Sequence, residues 1–320
     1  MARKRSIPTP IDLSRVSRYS IGKRANKTEL ASFGRPVRSL TGSDFFDSLP
    51  RFLKADDLRL FIRKVVQARG RGLPFHLLLG AHTIKVGLSP IIIDLMKRGI
   101  VSGLSFNCAG LIHDLELAFF GGTSEDVQKG LNDGSFGMVR ETAELFAEVC
   151  ELAHKSDIGL GAAGGQLIER GKATNRKLSV FAVAHKIGLP VTVHVGIGTD
   201  IVVQHPEFDA AKVAAASHID FRILARVCCD LDRGGVLANI GSAVILPEVF
   251  LKALTVARNL NKRKSRLTTA NFDMIMHYRP TENVVRRPTS LSGQGFTFVG
   301  HHEIMVPLLA WGLRREFKAG

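Results

Sequence analysis

The chain has 320 residues, of which 45% are hydrophobic and 23% are charged. This is the ordinary balance of a globular protein, and it excludes wholesale disorder and a fibrous repeat. Apolar runs such as residues 77–79 and 91–93 are far shorter than the roughly 20 residues that a membrane span needs, so no bilayer crossing is expected. Four cysteines show neither metal-ligand spacing nor a disulfide framework, and no secretory signal precedes them, which predicts a reducing, cytoplasmic location.

The net charge of +15 is concentrated in two segments. Residues 1–38 hold ten lysines and arginines against only Asp12 and Glu29. A second cluster comprises Arg258, Lys262, Arg263, Lys264 and Arg266. No aromatic-rich basic ribbon or zinc finger accompanies this charge, so a nucleic-acid partner is not expected. We predict a basic N-terminal arm over residues 1–40 and a single domain over residues 41–320.

From residue 73 onward, short β-rich runs alternate with helix-length segments, a pattern that predicts crossover connections and a doubly wound, mainly parallel α/β sheet. The predicted strands span residues 73–80, 103–107, 190–195, 235–240 and 268–276. The main predicted helices span residues 91–98, 138–154, 179–186, 208–231, 246–260 and 304–317. Ser124 is predicted to cap a helix, and residues 278–295 are predicted to form a long loop or an edge excursion.

Four strand-to-helix junctions carry residues suited to cofactor binding, because backbone N–H groups and helix dipoles converge at such ends. Glycine lets the backbone approach a phosphate, and an acid can accept hydrogen bonds from ribose hydroxyls. The alternative is that these turns use the same residue types for backbone geometry and capping alone. Neither a GxGxxG nor a GxxxxGK[ST] motif is present. The candidate cofactor-binding residues are Gly80, His82, Thr83, Asn107, Ala109, Gly110, Thr199, Asp200, Gly241 and Ser242.

Several of the eleven histidines fall at these same strand ends and are candidates for acid–base roles. His113 and Asp114 follow the second predicted strand, and we expect them to line one pocket as an acid–base pair. His301 or His302 would orient the substrate or replace a carboxylate. Because no H-x-x-x-H or C-x-x-C spacing supports a metal site, no metal ligands are assigned.

These junctions, in this order, resemble deoxyhypusine synthase, the NAD-dependent enzyme that moves an aminobutyl group from spermidine to a protein lysine. The likeness spans residues 70–310. Its main segments are Asn107-Cys108-Ala109-Gly110-Leu111-Ile112-His113-Asp114, similar to the family's Thr-Ala-Gly-Gly-Ile-Glu-Glu, and Val306-Pro307-Leu308-Leu309, similar to its Phe-Pro-Leu-Leu. The resemblance implies a Rossmann-like sheet of the deoxyhypusine synthase type, NAD as cofactor with Asp200 facing its ribose, and a homotetramer.

The departures from this family fall on the groups that perform its chemistry. The family's Gly-Gly-Gly-x-x-Lys-His-His segment corresponds here to residues 241–248, which contain neither histidine. No lysine occurs between Lys264 and Lys318, the region in which the family carries its nucleophilic lysine. An amine nucleophile is required to form the covalent imine that carries the aminobutyl group. A substrate-pocket acid of the family corresponds to His205, and Lys85 is the first candidate for a substitute nucleophile.

The sequence therefore predicts an NAD-binding enzyme that acts on a small-molecule substrate by acid–base or hydride chemistry, assembled as a homo-oligomer. One alternative is a catalytically silent protein that binds a dinucleotide or a partner, which the missing lysine favours. The other is a histidine-based, metal-dependent enzyme.

Overall fold

The computed structural model describes residues 13–26, 28–30, 33, 49, 51–171, 173–261 and 266–318. Much of the predicted arm over residues 1–40, its boundary at residue 40, and residues 262–264 of the second basic cluster lie outside the described residues. None of the helices in the described part combines the length and the apolar character that crossing a bilayer requires.

Six parallel strands form the central sheet. In chain order the strands are β1 (Thr28–Glu29), β2 (Phe75–Leu79), β3 (Gly103–Asn107), β4 (Gly122–Thr123), β5 (Val191–His194), β6 (Val236–Ile240), β7 (Thr268–Asp273) and β8 (Gln294–Val299). β1 and β4 form a separate antiparallel pair, and the other six lie in the order β5-β3-β2-β6-β7-β8. The strand order therefore reverses between β2 and β6, which is the arrangement of a doubly wound sheet.

Helices cover both faces of this sheet, as the sequence predicts. They are α1 (Leu53–Gly70), α2 (His82–Lys85), α3 (Ser89–Lys97), α4 (Cys108–Phe120), α5 (Val127–Asp133), α6 (Arg140–Ser156), α7 (Leu160–Arg170), α8 (Val180–Ile187), α9 (Ala210–Leu231), α10 (Ile245–Asn261) and α11 (His302–Lys318). Leu78 packs with α9 and α10, whereas its neighbours Leu77 and Leu79 belong to the larger apolar cluster. Successive residues of a strand point to opposite faces, so both faces are buried and the doubly wound α/β fold is confirmed.

Helix α1, which the sequence pattern did not predict, packs on the sheet through a buried apolar face in which Phe61 contacts several other rings. The Phe61 ring lies 6.1 Å from that of Phe75, 5.8 Å from Phe272, 5.7 Å from Phe296 and 6.1 Å from Phe298. These rings belong to β2, β7 and β8, so one residue of α1 contacts both the centre and the edge of the sheet.

Two sequence predictions require correction. The long loop over residues 278–295 is not observed, because the segment contains short helical turns, including a π-helical turn at Thr281–Arg286. It then begins β8, which lies at the edge of the sheet, in keeping with the alternative of an edge excursion. Strand β8 is difficult to recognise in the sequence because Gly293 and Gly295 lie at its start and its buried side chains begin only at Phe296. Asp126, not Ser124, caps the following helix, and its carboxylate accepts a hydrogen bond from the Lys129 backbone.

A row of buried polar side chains crosses three adjacent strands. His76 Nε2 bonds to Ser105 Oγ at 2.8 Å, Ser105 Oγ to Thr192 Oγ1 at 2.7 Å, and Thr192 Oγ1 to His194 Nε2 at 3.0 Å. Burial lowers the pKa of His76 to about 3, with a smaller effect from His194, and burial lowers the pKa of His194 to about 4. Both rings are therefore neutral at pH 7. A register slip would leave these groups unpaired inside the sheet, so the row specifies the alignment of the strands.

The buried His76 makes stability depend on pH. Unfolded histidine titrates near pH 6.5, whereas folded His76 titrates near pH 3, so its contribution is complete above 6.5 and is lost as the pH falls. His76→Gln keeps a nitrogen near Ser105 and removes the titration. We expect the difference in unfolding free energy between wild type and variant to fall by about 1.4 kcal/mol per pH unit below 6.5, as measured by urea titration. A constant difference would contradict this account.

Candidate functional site

The loops that follow β2 and β6 touch through their backbones where the strand order reverses. Gly80 N donates to Ile240 O at 2.8 Å. A Cβ atom on Gly80 would lie 2.1 Å from the Gly241 carbonyl oxygen, so a side chain cannot be accommodated there. Gly241 itself has φ of +70°, the left-handed conformation that favours glycine. The predicted cofactor residues Gly80 and Gly241 therefore lie together at the carboxyl edge of the sheet. We refer to the region outside the carboxyl ends of β2 and β6 as the crevice.

His302 lies directly over this contact at the start of α11. Its side chain is 1% exposed, and a Cβ atom on Gly241 would lie 2.9 Å from its Nε2. Within the described residues neither ring nitrogen has a hydrogen-bond partner, and Asp273 Oδ1 is 3.9 Å from Nε2. Asp273 Oδ2 is also buried without a partner. Unsatisfied buried polar atoms cost about 1–3 kcal/mol each, and water or a ligand commonly satisfies them.

His82, which follows β2, lies beside His302 and is the more solvent-exposed of the two rings. Its ring is 5.7 Å from that of His302, edge to face, and it is only partly buried. Burial lowers the pKa of His82, and the nearby His302 and Lys85 lower it further. A neutral imidazole with access to solvent can act as a general base. We refer to His82, Asp273 and His302 as the crevice cluster.

Thr83 and Ser242 support the two loops. Thr83 Oγ1 donates to Gly80 O at 2.8 Å, and Ser242 Oγ accepts from Leu246 N at 3.2 Å at the start of α10. These contacts are the capping roles that the sequence left open as an alternative to cofactor binding.

The ends of β3 and β5 bring a second group of predicted residues to the same sheet edge. Asp200 Oδ2 accepts from Gly196 N at 2.7 Å, and burial raises the pKa of Asp200 to about 6 despite this hydrogen bond. A Cβ atom on Gly196 would lie 3.5 Å from Ile245 Cδ1, so the loop reaches the start of α10. Asn107 Oδ1 is buried without a partner among the described residues.

The remaining predicted cofactor residues have local contacts. Thr199 Oγ1 donates to Gly196 O at 2.9 Å and is exposed, and Ala109 lies partly buried in the first turn of α4. A Cβ atom on Gly110 would lie 2.5 Å from the Phe106 ring, so this glycine is required by the packing of α4 against β3.

Asp114 requires a correction. Asp114 Oδ1 accepts from Val180 N at 2.9 Å, and its Oδ2 accepts from the Ser179 hydroxyl and from Phe181 N. Burial raises the pKa of Asp114 to about 6, although these hydrogen bonds oppose the shift. The carboxylate therefore holds the first turn of α8, and it makes no contact with His113 or with the crevice cluster.

His113 belongs to a different, buried ion cluster. Its Nδ1 is 2.7 Å from Thr123 Oγ1 and 3.8 Å from Glu116 Oε2, and Arg24 binds both oxygens of Glu116 at 3.0 and 2.8 Å. Burial alone raises the pKa of Glu116, but His113 and Arg24 outweigh it and lower the pKa to about 2. Because His113 and Asp114 contact different elements, the prediction that they line one pocket is wrong.

The other predicted side chains divide between the crevice and the surface. Lys85 lies one helical turn after His82 and affects its pKa. His301 is 66% exposed, with Nδ1 3.7 Å from Glu303. His205 Nε2 lies 2.7 Å from Gly137 O, and this hydrogen bond holds the loop before α6 against the segment that contains His205. His205 is therefore not part of the crevice cluster. In the described part of the chain, no three His, Cys, Asp or Glu side chains are grouped so that they could hold a metal ion.

Sequence reasoning missed Asp273. The predicted strand over residues 268–276 placed this residue inside the sheet, whereas β7 ends at Asp273. An acid in the junction at the carboxyl end of a strand is the signal that identified Asp200, which follows β5. Had the end of β7 been predicted at Asp273, the same argument would have identified this residue.

No protein-family model and no curated protein matches the chain. Solved structures share its fold at low identity. AgrE in complex with ornithine and NAD+ aligns at 14% identity and a TM-score of 0.54, and a conserved putative LOR/SDH protein from Methanococcus maripaludis S2 aligns at 14% identity and a TM-score of 0.53. The alignments cover 82% and 83% of this chain, but only 33% of AgrE and 69% of the LOR/SDH protein.

A putative deoxyhypusine synthase from Entamoeba histolytica aligns over 76% of each chain at 10% identity and a TM-score of 0.44. That similarity is too low to support an assignment. The fold is thus shared with the AgrE and LOR/SDH structures, while membership of the deoxyhypusine synthase family is not confirmed.

The buried pair of Arg24 and Glu116 generates a stability prediction. Arg24→Leu would leave the Glu116 carboxylate charged and without its cation in a site where the two side chains are 5% and 1% exposed. We expect a loss of about 3–5 kcal/mol in unfolding free energy, measured by denaturant titration. Lys23→Leu, at the exposed neighbouring position, is the control and should change stability little. Equal effects of the two substitutions would show that the buried ion pair does not hold residues 13–26 against the rest of the domain.

Proposed function

We propose that this chain is an NAD-binding enzyme with a deoxyhypusine synthase-like sheet, and that it acts on a small molecule by acid–base and hydride chemistry in the crevice between β2 and β6. The observation that carries the proposal is the crevice cluster. His302, whose buried ring has no hydrogen-bond partner in the described part of the chain, lies beside the partly buried His82, whose pKa is lowered, at the point where the strand order reverses. Open α/β sheets bind their ligands outside the carboxyl ends of the strands at this point.

Residues on the β5 side of the same edge fit an NAD ribose. One oxygen of Asp200 accepts the Gly196 N–H, and a carboxylate has further acceptor capacity for ribose hydroxyls. Asn107 Oδ1, which has no partner among the described residues, offers a second acceptor at the end of the neighbouring strand β3. AgrE, which shares the fold, binds NAD+ together with ornithine, and this supports an NAD site in a sheet of this kind. When bound, NAD would supply the acceptor or donor of a hydride.

His82 is the proposed catalytic base. Removal of hydride from a carbon that bears a hydroxyl or an amine requires the heteroatom to lose a proton, and the neutral His82 ring can accept it. The charges of Glu303 and Asp273 favour the protonated form of His82, so they would stabilise the imidazolium that results. His302, packed edge to face against His82, is a positioning residue.

The site is proposed to lie near a contact between subunits of a homo-oligomer. Large apolar side chains surround the carboxyl edge of the sheet and are exposed: Ile197, Val244, Met274, Ile275, Met276, Tyr278, Val299 and Ile304. Burial of such a patch against a second subunit would be favourable. A catalytically silent protein, the first alternative, would use the same cofactor site without carrying out a reaction. The second alternative is a metal-dependent enzyme, and no group of side chains in the described residues favours it.

The role of Asp200 predicts pH-dependent NAD binding. Asp200→Asn keeps an acceptor for the Gly196 N–H and removes the charge, so NAD+ affinity should fall by about 1.5–3 kcal/mol, or roughly ten- to a hundredfold in Kd. Because the pKa of Asp200 is about 6, wild-type affinity should rise as the pH increases through 6, and the variant should not show this rise. Calorimetry measures both, with the exposed Glu148→Gln as control. Absence of wild-type binding at millimolar NAD+ would refute the proposal.

The missing lysine predicts that aminobutyl transfer does not occur. Incubation of the protein with NAD, spermidine and an acceptor protein should leave the mass of the acceptor unchanged, because no lysine lies between Lys264 and Lys318 to form the imine. A mass increase on an acceptor lysine would overturn this part of the proposal. Lys85→Gln would then test whether the lysine beside His82 serves as the nucleophile.

A further inference from the structure

A second cleft lies at the opposite, amino edge of the sheet. It has a volume of about 760 Å³ and is lined by α1, by the segment that precedes β6 and by the first residues of β7 and β8, including Thr268 and Gln294. β7 spans six residues from Thr268 to Asp273, which places the cleft about 17 Å from the crevice cluster at 3.3 Å per residue. Groups in this cleft therefore cannot reach the proposed reaction centre.

Among the described residues, the cleft is lined by three cations and by no carboxylate. Lys64 and Arg71 lie on one face of α1, two turns apart, and Arg266 projects from the other wall just before β7. None of the three forms an ion pair with a carboxylate of the described residues. Arg71 is instead held by backbone oxygens, with Nε 3.1 Å from Gln67 O and an Nη nitrogen 3.4 Å from Gly234 O.

This arrangement selects for a multiply charged anion. Like charges placed together in a concave surface raise the local positive potential, and guanidinium and ammonium groups match phosphate oxygens in charge and hydrogen bonding. Side-chain amides of Gln67 and Gln294 add neutral donors. No aromatic side chain of the described part of the chain lines the cleft, so a nucleobase would find no ring there to stack on. We propose that the amino-edge cleft is a binding site for the polyphosphate group of a small phosphorylated molecule, recognised through charge.

The test is calorimetric titration of the full chain with inorganic tripolyphosphate. Lys64→Gln combined with Arg266→Gln removes two cations that make no hydrogen bond to the rest of the described structure, so the fold should be retained. We expect tripolyphosphate to bind the wild type and its Kd to weaken at least about tenfold in this variant. A control with Arg176→Gln and Lys177→Gln removes the same charge from an exposed turn and should bind as the wild type does.

Three outcomes would overturn the proposal. The first is no binding of tripolyphosphate by the wild type. The second is equal weakening in the cleft variant and the control, which would show attraction by net charge alone. The third is tighter binding of a single-stranded RNA through Lys64 and Arg266, which would assign the cleft to a macromolecule. The cleft variant should bind NAD+ as the wild type does. The NAD+ titration therefore tests the crevice and the tripolyphosphate titration tests the cleft, so either proposal can fail without the other.

Discussion

The carboxyl edge of this protein depends on the backbone contact between Gly80 and Gly241. The two loops leave the sheet on either side of the reversal in strand order, and the space for a Cβ atom on Gly80 is occupied by the Gly241 carbonyl. Because the loops lie so close together, the first turn of α11 can cross above them. His302 then packs on Gly241 and lies next to both Asp273 and His82. A side chain at Gly80 would separate the loops and remove the floor on which the crevice cluster is built.

Two sets of buried polar groups in the described residues differ in how far the protein supplies their hydrogen bonds, and this difference supports separate structural and functional roles for them. The row from His76 to His194 and the cluster around Glu116 have their main hydrogen bonds supplied by the protein. The row stabilises the alignment of the strands, and the cluster around Glu116 attaches residues 13–26 to the domain through Arg24. His302 is buried as deeply, yet neither of its ring nitrogens has a partner among the residues that the structure describes. A fold rarely retains such a cost unless water or a ligand satisfies the group, and this is why the crevice is the preferred functional site.

The sequence predicted the parts of the fold that follow from periodicity and turn chemistry. Five strands and the α/β class could be read because buried parallel strands form apolar runs bounded by glycine and helix caps. α7 was missed because glycines at positions 161, 164 and 165 conceal a helical pattern, and β8 was missed because glycines precede its aromatic residues.

The site was predicted only in part, for a related reason. Strand ends identify which residues reach the carboxyl edge, and they correctly brought Gly80, His82, Gly241 and Ser242 together. They do not give the direction of each side chain on the following helix, so adjacent residues His113 and Asp114 were assigned one role although their partners are Thr123 and Ser179. Asp273 was missed because the predicted strand ran three residues past the true end of β7. The approach of α11 to β7, which brings His302 to Asp273, is a tertiary contact that no local pattern encodes.

The central claim is that NAD binds at the crevice beside His82 and His302. Histidine ring resonances followed by NMR during an NAD+ titration test it most directly, because His154 and His218 lie exposed on helices α6 and α9 and serve as internal references. The account predicts that the signals of His82 and His302 shift together with saturation while those of His154 and His218 remain unchanged. Saturable binding that leaves the His82 and His302 signals in place would show that the cofactor site lies elsewhere.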